Sequence, residues 1–369
     1  MKQFFRKLGR DGGALRGQVM LVVLGLIWIG FAILTDGLFI SPRNLSALAI
    51  QGAIKGVLAV GMTLLLISGE IDLSIGATVA LVGIVAAELQ VANFDVLHTL
   101  VLALCAGMMV GLVQGSLVAF AAIPAFIVTL GGMLIWRGAG FVMTGSESIG
   151  PISEEFSMIS SSYLPIYSSL VLLGIAALFI FYRSVRKRSV GFGLLWLVAL
   201  AVVAWASLSY RGIPTAVLIM TVCAVGGIML LENTVFGRRV YVVGGNPEAA
   251  MYAGISRREL RFFLFLIMGA GYGLAGAMTT ARLGGAPPNV GIGLELDVIS
   301  ACIIGGVSLF GGRGSIQGAI IGVFLFESLT NGMALLNLNV NFQLIVRGLV
   351  LIAAVWLDVL TQKQGDARA

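Results

Sequence analysis

Charge is what this sequence has least of. Only 11% of its 369 residues are Asp, Glu, Lys or Arg, where a soluble globular domain carries roughly a quarter. Histidine occurs once, as His98, and cysteine three times, as Cys105, Cys223 and Cys302, each inside an apolar stretch. That excludes a disulfide framework and a zinc site. No stretch reads Gly-x-x-x-x-Gly-Lys-Ser/Thr, and no Gly-Lys pair occurs anywhere, so a P-loop for ATP is absent. No nucleophile–base pair stands out either, which puts an enzyme last among the function classes.

What is there is apolar: 59% of the residues are hydrophobic. Crossing a hydrocarbon core of roughly 30 Å takes about 20 predominantly apolar residues. Such segments recur along the whole chain, at Gln18–Leu38, Leu45–Ile67, Leu73–Leu89, Leu97–Ala122, Ala125–Met143, Leu164–Tyr182, Phe192–Leu208, Ile213–Leu231, Phe262–Ala281, Leu294–Leu309, Ile316–Asn331 and Phe342–Leu357. The expected fold is an all-α polytopic membrane protein, a single transmembrane domain over residues 1–369 with about 10–12 spanning helices. The third, tenth and eleventh segments are short and glycine-rich, and are candidates for re-entry rather than full crossing. Gln18–Leu38 exceeds a signal-peptide core and lacks a small-residue cleavage site, so it reads as a retained first span.

Basic residues orient the chain, because short cytoplasmic loops retain Lys and Arg. With both termini inside, the cytoplasmic side receives seventeen of the twenty-three: Lys2, Arg6, Lys7, Arg10, Arg16, Arg183, Arg186, Lys187, Arg188, Arg238, Arg239, Arg257, Arg258, Arg261, Arg313, Lys363 and Arg368. Residues 1–17 and 358–369 are then cytoplasmic tails, and the acidic stretch Thr144–Tyr163 lies outside. The net charge of +6 reports topology and attraction to anionic lipid. It does not point to nucleic acid, since the basic residues are spread over several loops.

Fifty glycines suit helices that approach closely in lipid, where small residues let backbones pack. Runs such as Gly131-Gly132, Gly269-Ala270-Gly271-Tyr272-Gly273 and Gly305-Gly306 fit tight crossings. Two stretches add polar residues: Ser68-Gly69-Glu70-Ile71-Asp72-Leu73-Ser74-Ile75-Gly76, and Gly305 to Ser315 with Ser308 and Arg313. Irregular backbone at membrane depth is tolerated where it lines protein or a watery cavity, and carboxylates there are costly against lipid. Glu70, Asp72, Ser74, Thr129, Asp297, Ser308 and Asn331 are therefore candidates for a translocation path. The same carboxylates, with Glu295, would serve an ion-coupled secondary sugar carrier, which is the alternative reading from another class.

The polar segment 232–261 interrupts this apolar pattern. After basic Gly237-Arg238-Arg239 come apolar Val240–Val243, a turn at Gly244-Gly245-Asn246-Pro247, and a short helix from Pro247 to Ala253 ended by Gly254. Asn246 suits the N-cap, Pro247 the first helical position, Glu248 the positive end of the dipole, and Gly254 the left-handed residue beyond the end.

Here the chain resembles the permease subunits of ATP-binding-cassette importers, whose cytoplasmic loop carries Glu-Ala-Ala, three residues, Gly, nine residues, then Ile-x-Leu-Pro. Glu248-Ala249-Ala250, Gly254 and Leu264-Phe265-Leu266 stand at those spacings, with Ile267 in place of the proline. Gly69-Glu70-Ile71-Asp72-Leu73-Ser74, Pro124 to Gly131, Gly237 to Ala250 and Gly305 to Gly312 look like the ribose, xylose and galactose branch. The helix pair within residues 164–208 is similar to an insertion in the longer xylose-type members.

The resemblance implies a permease in the bacterial inner membrane that moves a monosaccharide, D-xylose or a related pentose. It implies a homodimer of this chain, a partner ATP-binding subunit carrying ATP and Mg, and a periplasmic sugar-binding protein. Coupling to the ATPase would run through Asn246, Pro247, Glu248, Ala249, Ala250 and Gly254. The chain itself would bind no cofactor and no metal, and catalyse no reaction.

Overall fold

The computed structural model describes residues 12–187 and 190–366. Residues 1–11 of the basic N-terminus, with Arg188 and Arg368, lie outside the described residues. Within them the chain is all α: fifteen helices and, besides turns, two isolated β-bridges, Ile149 with Ala286 and Tyr163 with Pro214. Six helices are long and apolar enough to cross a membrane, and five shorter apolar stretches accompany them.

The residues fall into two compact units. The first comprises residues 1–52, 163–218 and 324–369. It holds α1 (Gly12–Leu34), the start of α2 (Pro42–Ile67), α7 (Ile166–Lys187), α8 (Val190–Leu208), the start of α9 (Thr215–Asn233), the end of α14 (Ile316–Leu335) and α15 (Val340–Asp366). Its local core forms around Phe39, which is fully buried and stacked on Phe31 at 5.4 Å. Trp28 satisfies its indole N–H on Ser328 at 2.9 Å. The helix pair expected within residues 164–208 is present as α7 and α8, packed on each other.

The second unit comprises residues 53–162 and 219–323. It holds the rest of α2, then α3 (Ile75–Val91), α4 (Val96–Ala119), α5 (Ala125–Thr144), α6 (Glu154–Ser161), the rest of α9, α10 (Val235–Gly245), α11 (Pro247–Tyr252), α12 (Arg257–Leu283), α13 (Leu294–Ile304) and the start of α14. Its axis is α12, which packs most closely on α4 and then on α3 and α6.

The sequence explains the α4–α12 crossing. Gly107 and Gly111 lie directly on the backbone of Gly269, and Gly107 also on Gly273, so that no side chain fits between them. Dispersion between close backbones holds helices together where water supplies no hydrophobic drive. The expectation for the glycines of 269–273 is met at this crossing, and Gly305 likewise lies on the backbone of Gly318. A side chain added at Gly131 would meet nothing within 4 Å, so no close backbone approach requires glycine there. Gly269→Val should therefore lower the thermal unfolding midpoint in detergent, by an overpacking penalty of about 1–3 kcal/mol or more, while Gly131→Ala leaves it unchanged. Thermal scanning of the two purified variants checks this.

The tenth segment, a candidate for re-entry in the sequence, forms only a short helix. Instead of crossing from Leu294 to Leu309, α13 ends at Ile304, and Gly305 to Ser315 is non-helical. Eleven residues rise only about 16 Å, roughly half of a hydrocarbon core. The chain reaches the start of α13 by turning back after α12, so that Gly291 lies on the backbone of Gly76 in the first turn of α3. Two helices, α3 and α13, thus begin close together. The acidic stretch Thr144–Tyr163, expected as a loop, contains α6, capped by Ser153 on the amide of Phe156.

Candidate coupling and translocation site

Local chemistry builds the expected coupling helix, α11, as the residue types require. Asn246 accepts a hydrogen bond from the amide of Ala249 at 2.9 Å, and Pro247 occupies the first turn with Glu248 beside it. Gly254, at φ +73°, takes the left-handed conformation that ends the helix, one residue beyond Ala253, at which α11 is capped. The helix is one residue shorter than the expected Pro247–Ala253. Ala250 is buried against the protein, whereas Glu248 and Ala249 face outward. Met251 and Tyr252, 66% and 85% exposed, extend that outward face. They went unnoticed in the sequence because they fill two of the three unspecified positions between Glu248-Ala249-Ala250 and Gly254.

One expectation inside this segment fails. Val240 to Gly245 is not an apolar strip followed by a turn: it is the body and last turn of α10, capped by Thr234. The two glycines serve contact instead of reversal. Gly244 lies on the carbonyl of Ile67, the last residue of α2, and on the backbone of Gly312. The amide of Gly312 in turn donates to the Ile67 carbonyl at 2.8 Å. Ile67, the residue just before the first glycine-rich stretch, and Gly312 of the second therefore meet α10 at one point. Tyr241 reinforces the junction by donating from its hydroxyl to the carbonyl of Gly314 at 2.8 Å. Burial first, then the nearby Glu232, push its phenol above the ordinary range, which keeps it a neutral donor.

The first glycine-rich stretch climbs from that junction along α12. Glu70, 5% exposed, is held by Arg261 at 2.5 Å and by Arg257 at 3.5 Å. A carboxylate this buried needs such partners, since an unpaired one is strongly destabilising. Both arginines stand in the first turns of α12, immediately after the coupling helix. Asp72 is fully buried and accepts from the Ser74 amide at 2.8 Å, the Ser74 hydroxyl at 2.7 Å and the hydroxyl of Tyr272. Gln114 donates to the Ser74 hydroxyl at 2.8 Å, and Thr129 to the Ile71 carbonyl at 3.4 Å.

Glu70, Asp72, Ser74 and Thr129 are thus brought together. The remaining path candidates sit elsewhere. Asp297 pairs with Lys55 at 2.9 Å, a partner missed in the sequence because Lys55 sits alone in an apolar run. Ser308 is absorbed in its own loop, its amide bound to the Arg313 carbonyl at 2.9 Å. Asn331 belongs to the first unit and exchanges side-chain hydrogen bonds with Asn44 at 2.8 and 3.0 Å. Arg257 and Arg261 had counted only as topology markers, although their i, i+4 spacing puts them on one helical face. Among the described residues no group of three or more His, Cys, Asp or Glu gathers as a metal site.

Comparison with known proteins identifies the family of the chain. A family profile described as "Branched-chain amino acid transport system / permease component" matches residues 44–355. The chain is 39% identical to the xylose transport system permease protein XylH of Escherichia coli (strain K12), covering 94% of this chain and 92% of that protein. It is 33% identical to the L-arabinose ABC transporter permease protein AraH of Azospirillum brasilense, over 94% and 89% of the two chains. To the ribose import permease protein RbsC of Bacillus subtilis it is 33% identical, over 87% and 86%. No solved structure matches. A polytopic helical chain matched over most of its length in this way is a multi-pass protein of a bacterial cytoplasmic membrane, and it belongs to the permease-component family of the branched-chain amino acid type.

Proposed function

We propose that this chain is the membrane-spanning subunit of an ATP-binding-cassette importer, and that it carries D-xylose or a related pentose inward on energy supplied by a partner ATPase. One observation carries the reading. The exposed α11 is followed at once by α12, whose first turns hold Glu70 in the broken segment between α2 and α3.

Force arriving at Glu248, Ala249, Met251 and Tyr252 from a docked ATPase has a short route inward. It passes through Arg257 and Arg261 to Glu70, and through Gly244 to Ile67 and Gly312. Asn246, Pro247, Ala250 and Gly254 hold the docking helix in shape. Glu70, Asp72, Ser74 and Thr129 form the part of the path nearest to that input, with Asp297, Ser308 and Asn331 further along the chain. ATP and Mg belong to the partner subunit. Two copies of this chain, two ATPase domains and a periplasmic sugar-binding protein complete the importer. The family resemblance supports those partners, and the xylose and arabinose relatives support a pentose. A ligand-driven cycle needs differential contact in two states, and the ATPase contact on α11 supplies the difference.

The test is to purify the tagged chain gently from its native membrane and reconstitute it with the soluble subunit that accompanies it and the binding protein. Near-stoichiometric recovery of a P-loop protein, with uptake that requires ATP, is the expected result. Uptake that survives ATP depletion and collapses with the ion gradient would favour a carrier instead.

A further inference from the structure

An aromatic side chain is left in the open within the second glycine-rich stretch. Phe310 is 56% exposed, and Arg313 close by is exposed as well. Neither side chain belongs to the route from α11 to Glu70. The backbone that carries them is nevertheless fixed from several sides. The Ser308 amide donates to the Arg313 carbonyl at 2.9 Å and so closes the turn 308–313. Within it the Phe310 amide donates to the Ser308 hydroxyl at 3.3 Å, and the Gly311 amide to the Ser308 carbonyl at 3.4 Å. Gly311 and Gly312 follow at φ +87° and +71°, left-handed values that glycine adopts without steric cost. The Gly312 amide then reaches the Ile67 carbonyl, and Tyr241 holds the Gly314 carbonyl.

This turn is seated on the residues that lead into α11. A Cβ at Gly311 would lie 2.7 Å from the Gly244 carbonyl oxygen, and one at Gly312 would lie 2.6 Å from the Gly245 Cα. The next residue, Asn246, caps α11. Phe310 is therefore one residue away from a backbone contact with the segment that presents Glu248, Ala249, Met251 and Tyr252. Exposed aromatics at this end border either lipid headgroups or another protein. A fluid lipid boundary asks for no fixed direction, whereas a side chain held ready on a rigid turn loses little freedom when a protein docks on it. The locked turn and its continuity with α11 favour the protein. Aromatic residues and arginine are also the types enriched in the cores of such interfaces.

We propose that the turn 308–313 is a second docking element for the partner ATPase, with Phe310 as its apolar anchor and Arg313 facing a carboxylate at the rim of the recess that takes it. This inference rests on the importer reading above and adds a second point at which force enters. The first point, α11, leads into α12; the turn instead joins α13 to α14. A partner that grips both moves α12 and the α13–α14 pair together, and the Gly312–Ile67 hydrogen bond ties the end of α2 to the same movement.

The experiment places the photoreactive residue p-benzoylphenylalanine at position 310 of the full chain, co-expressed with the soluble P-loop subunit that purifies with it, and illuminates native membranes. The same probe at position 252, on α11, is the positive reference. At position 142, where Val142 of α5 is 84% exposed, it is the negative one. The expected result is a cross-link to the P-loop subunit from 252 and 310 and none from 142. Titration of that subunit against the permease in nanodiscs gives the second reading: Phe310→Ala weakens binding about fivefold or more. The cross-link is scored on the assembled complex, so it decides even if the alanine variant folds poorly. An adduct from 252 with only lipid adducts, or none, from 310 overturns the second docking element and leaves the importer reading standing. Unchanged affinity in a folded Phe310→Ala overturns it too. Failure of the importer reading shows separately, as wild-type chain that recovers no P-loop subunit and a probe at 252 that captures none, and it takes this inference with it.

Discussion

Glu70→Gln leaves ATP hydrolysis running while pentose uptake falls at least tenfold. The substitution keeps the size and hydrogen-bonding shape of the side chain and removes only its charge. Glu70 is buried and clasped by Arg261 at 2.5 Å, with Arg257 further off at 3.5 Å and about half exposed. Solvent screens the Arg257 contact, so Arg261 carries most of the effect. Removing one member of a buried pair costs about 3–5 kcal/mol, mainly because the other charge is left uncompensated. In the proposed importer the break falls between the segment that would receive force and the segment that would open, so the ATPase should keep cycling on a transporter that no longer follows it. Arg261→Met should give the same phenotype, and Glu70→Arg combined with Arg261→Glu should recover part of the uptake. The measurement is the ratio of sugar moved to ATP hydrolysed in proteoliposomes. A ratio unchanged in Glu70→Gln would remove the clasp from the coupling route.

Glu248→Lys combined with Tyr252→Ser strips the ATPase from the membrane. Glu248 faces outward in the first turn of α11, where its charge complements the dipole, and Tyr252 is 85% exposed at the far end. An exposed tyrosine beside an exposed methionine on a six-residue helix is the composition of an interface anchor. Truncating such an anchor commonly costs about 2 kcal/mol or more, over tenfold in affinity, and charge reversal adds repulsion if the partner groove is basic. The permease should still insert and purify at wild-type yield, since neither side chain is buried in it. Co-purified ATPase, quantified per permease, is the readout. Near-stoichiometric recovery with the double variant would place the docking surface elsewhere.

Legibility in the sequence followed the range of the interactions. The coupling helix could be read closely because its determinants are local: Asn246 caps, Pro247 starts, and Gly254 stops within a few residues of one another. The helical, membrane-crossing character was equally plain from apolar length. The purpose of Gly244 and Gly245 was not. As a Gly-Gly pair before Asn-Pro they carry every turn signal, yet they finish a helix because Ile67 and Gly312 press against them. The case of α13 is mixed: Gly305-Gly306 marks a break, yet Val307, Leu309 and Phe310 carry the apolar run on beyond it. Site residues divided in the same way. Glu70 and Asp72 stood out as carboxylates among apolar neighbours, while their partners Arg261 and Tyr272 looked like an orientation marker and one member of a glycine run. Pairing at a separation of nearly two hundred residues leaves no local trace.

Helix α12 runs unbroken for 27 residues, about 40 Å. Its first turn follows α11, the docking helix of the proposed importer, and so marks the end expected inside. Its outer end is fastened twice, by Ser160 of α6 donating to the Met278 carbonyl at 2.7 Å and by the Ile149–Ala286 bridge just past its cap at Gly284. A rod joined at both faces carries messages in either direction. By thermodynamic reciprocity, whatever factor nucleotide binding imposes on affinity for the loaded binding protein outside, that protein must impose on nucleotide affinity inside. In the importer proposed above, the extracellular sugar supply would thereby be reported to the ATPase before any sugar has crossed.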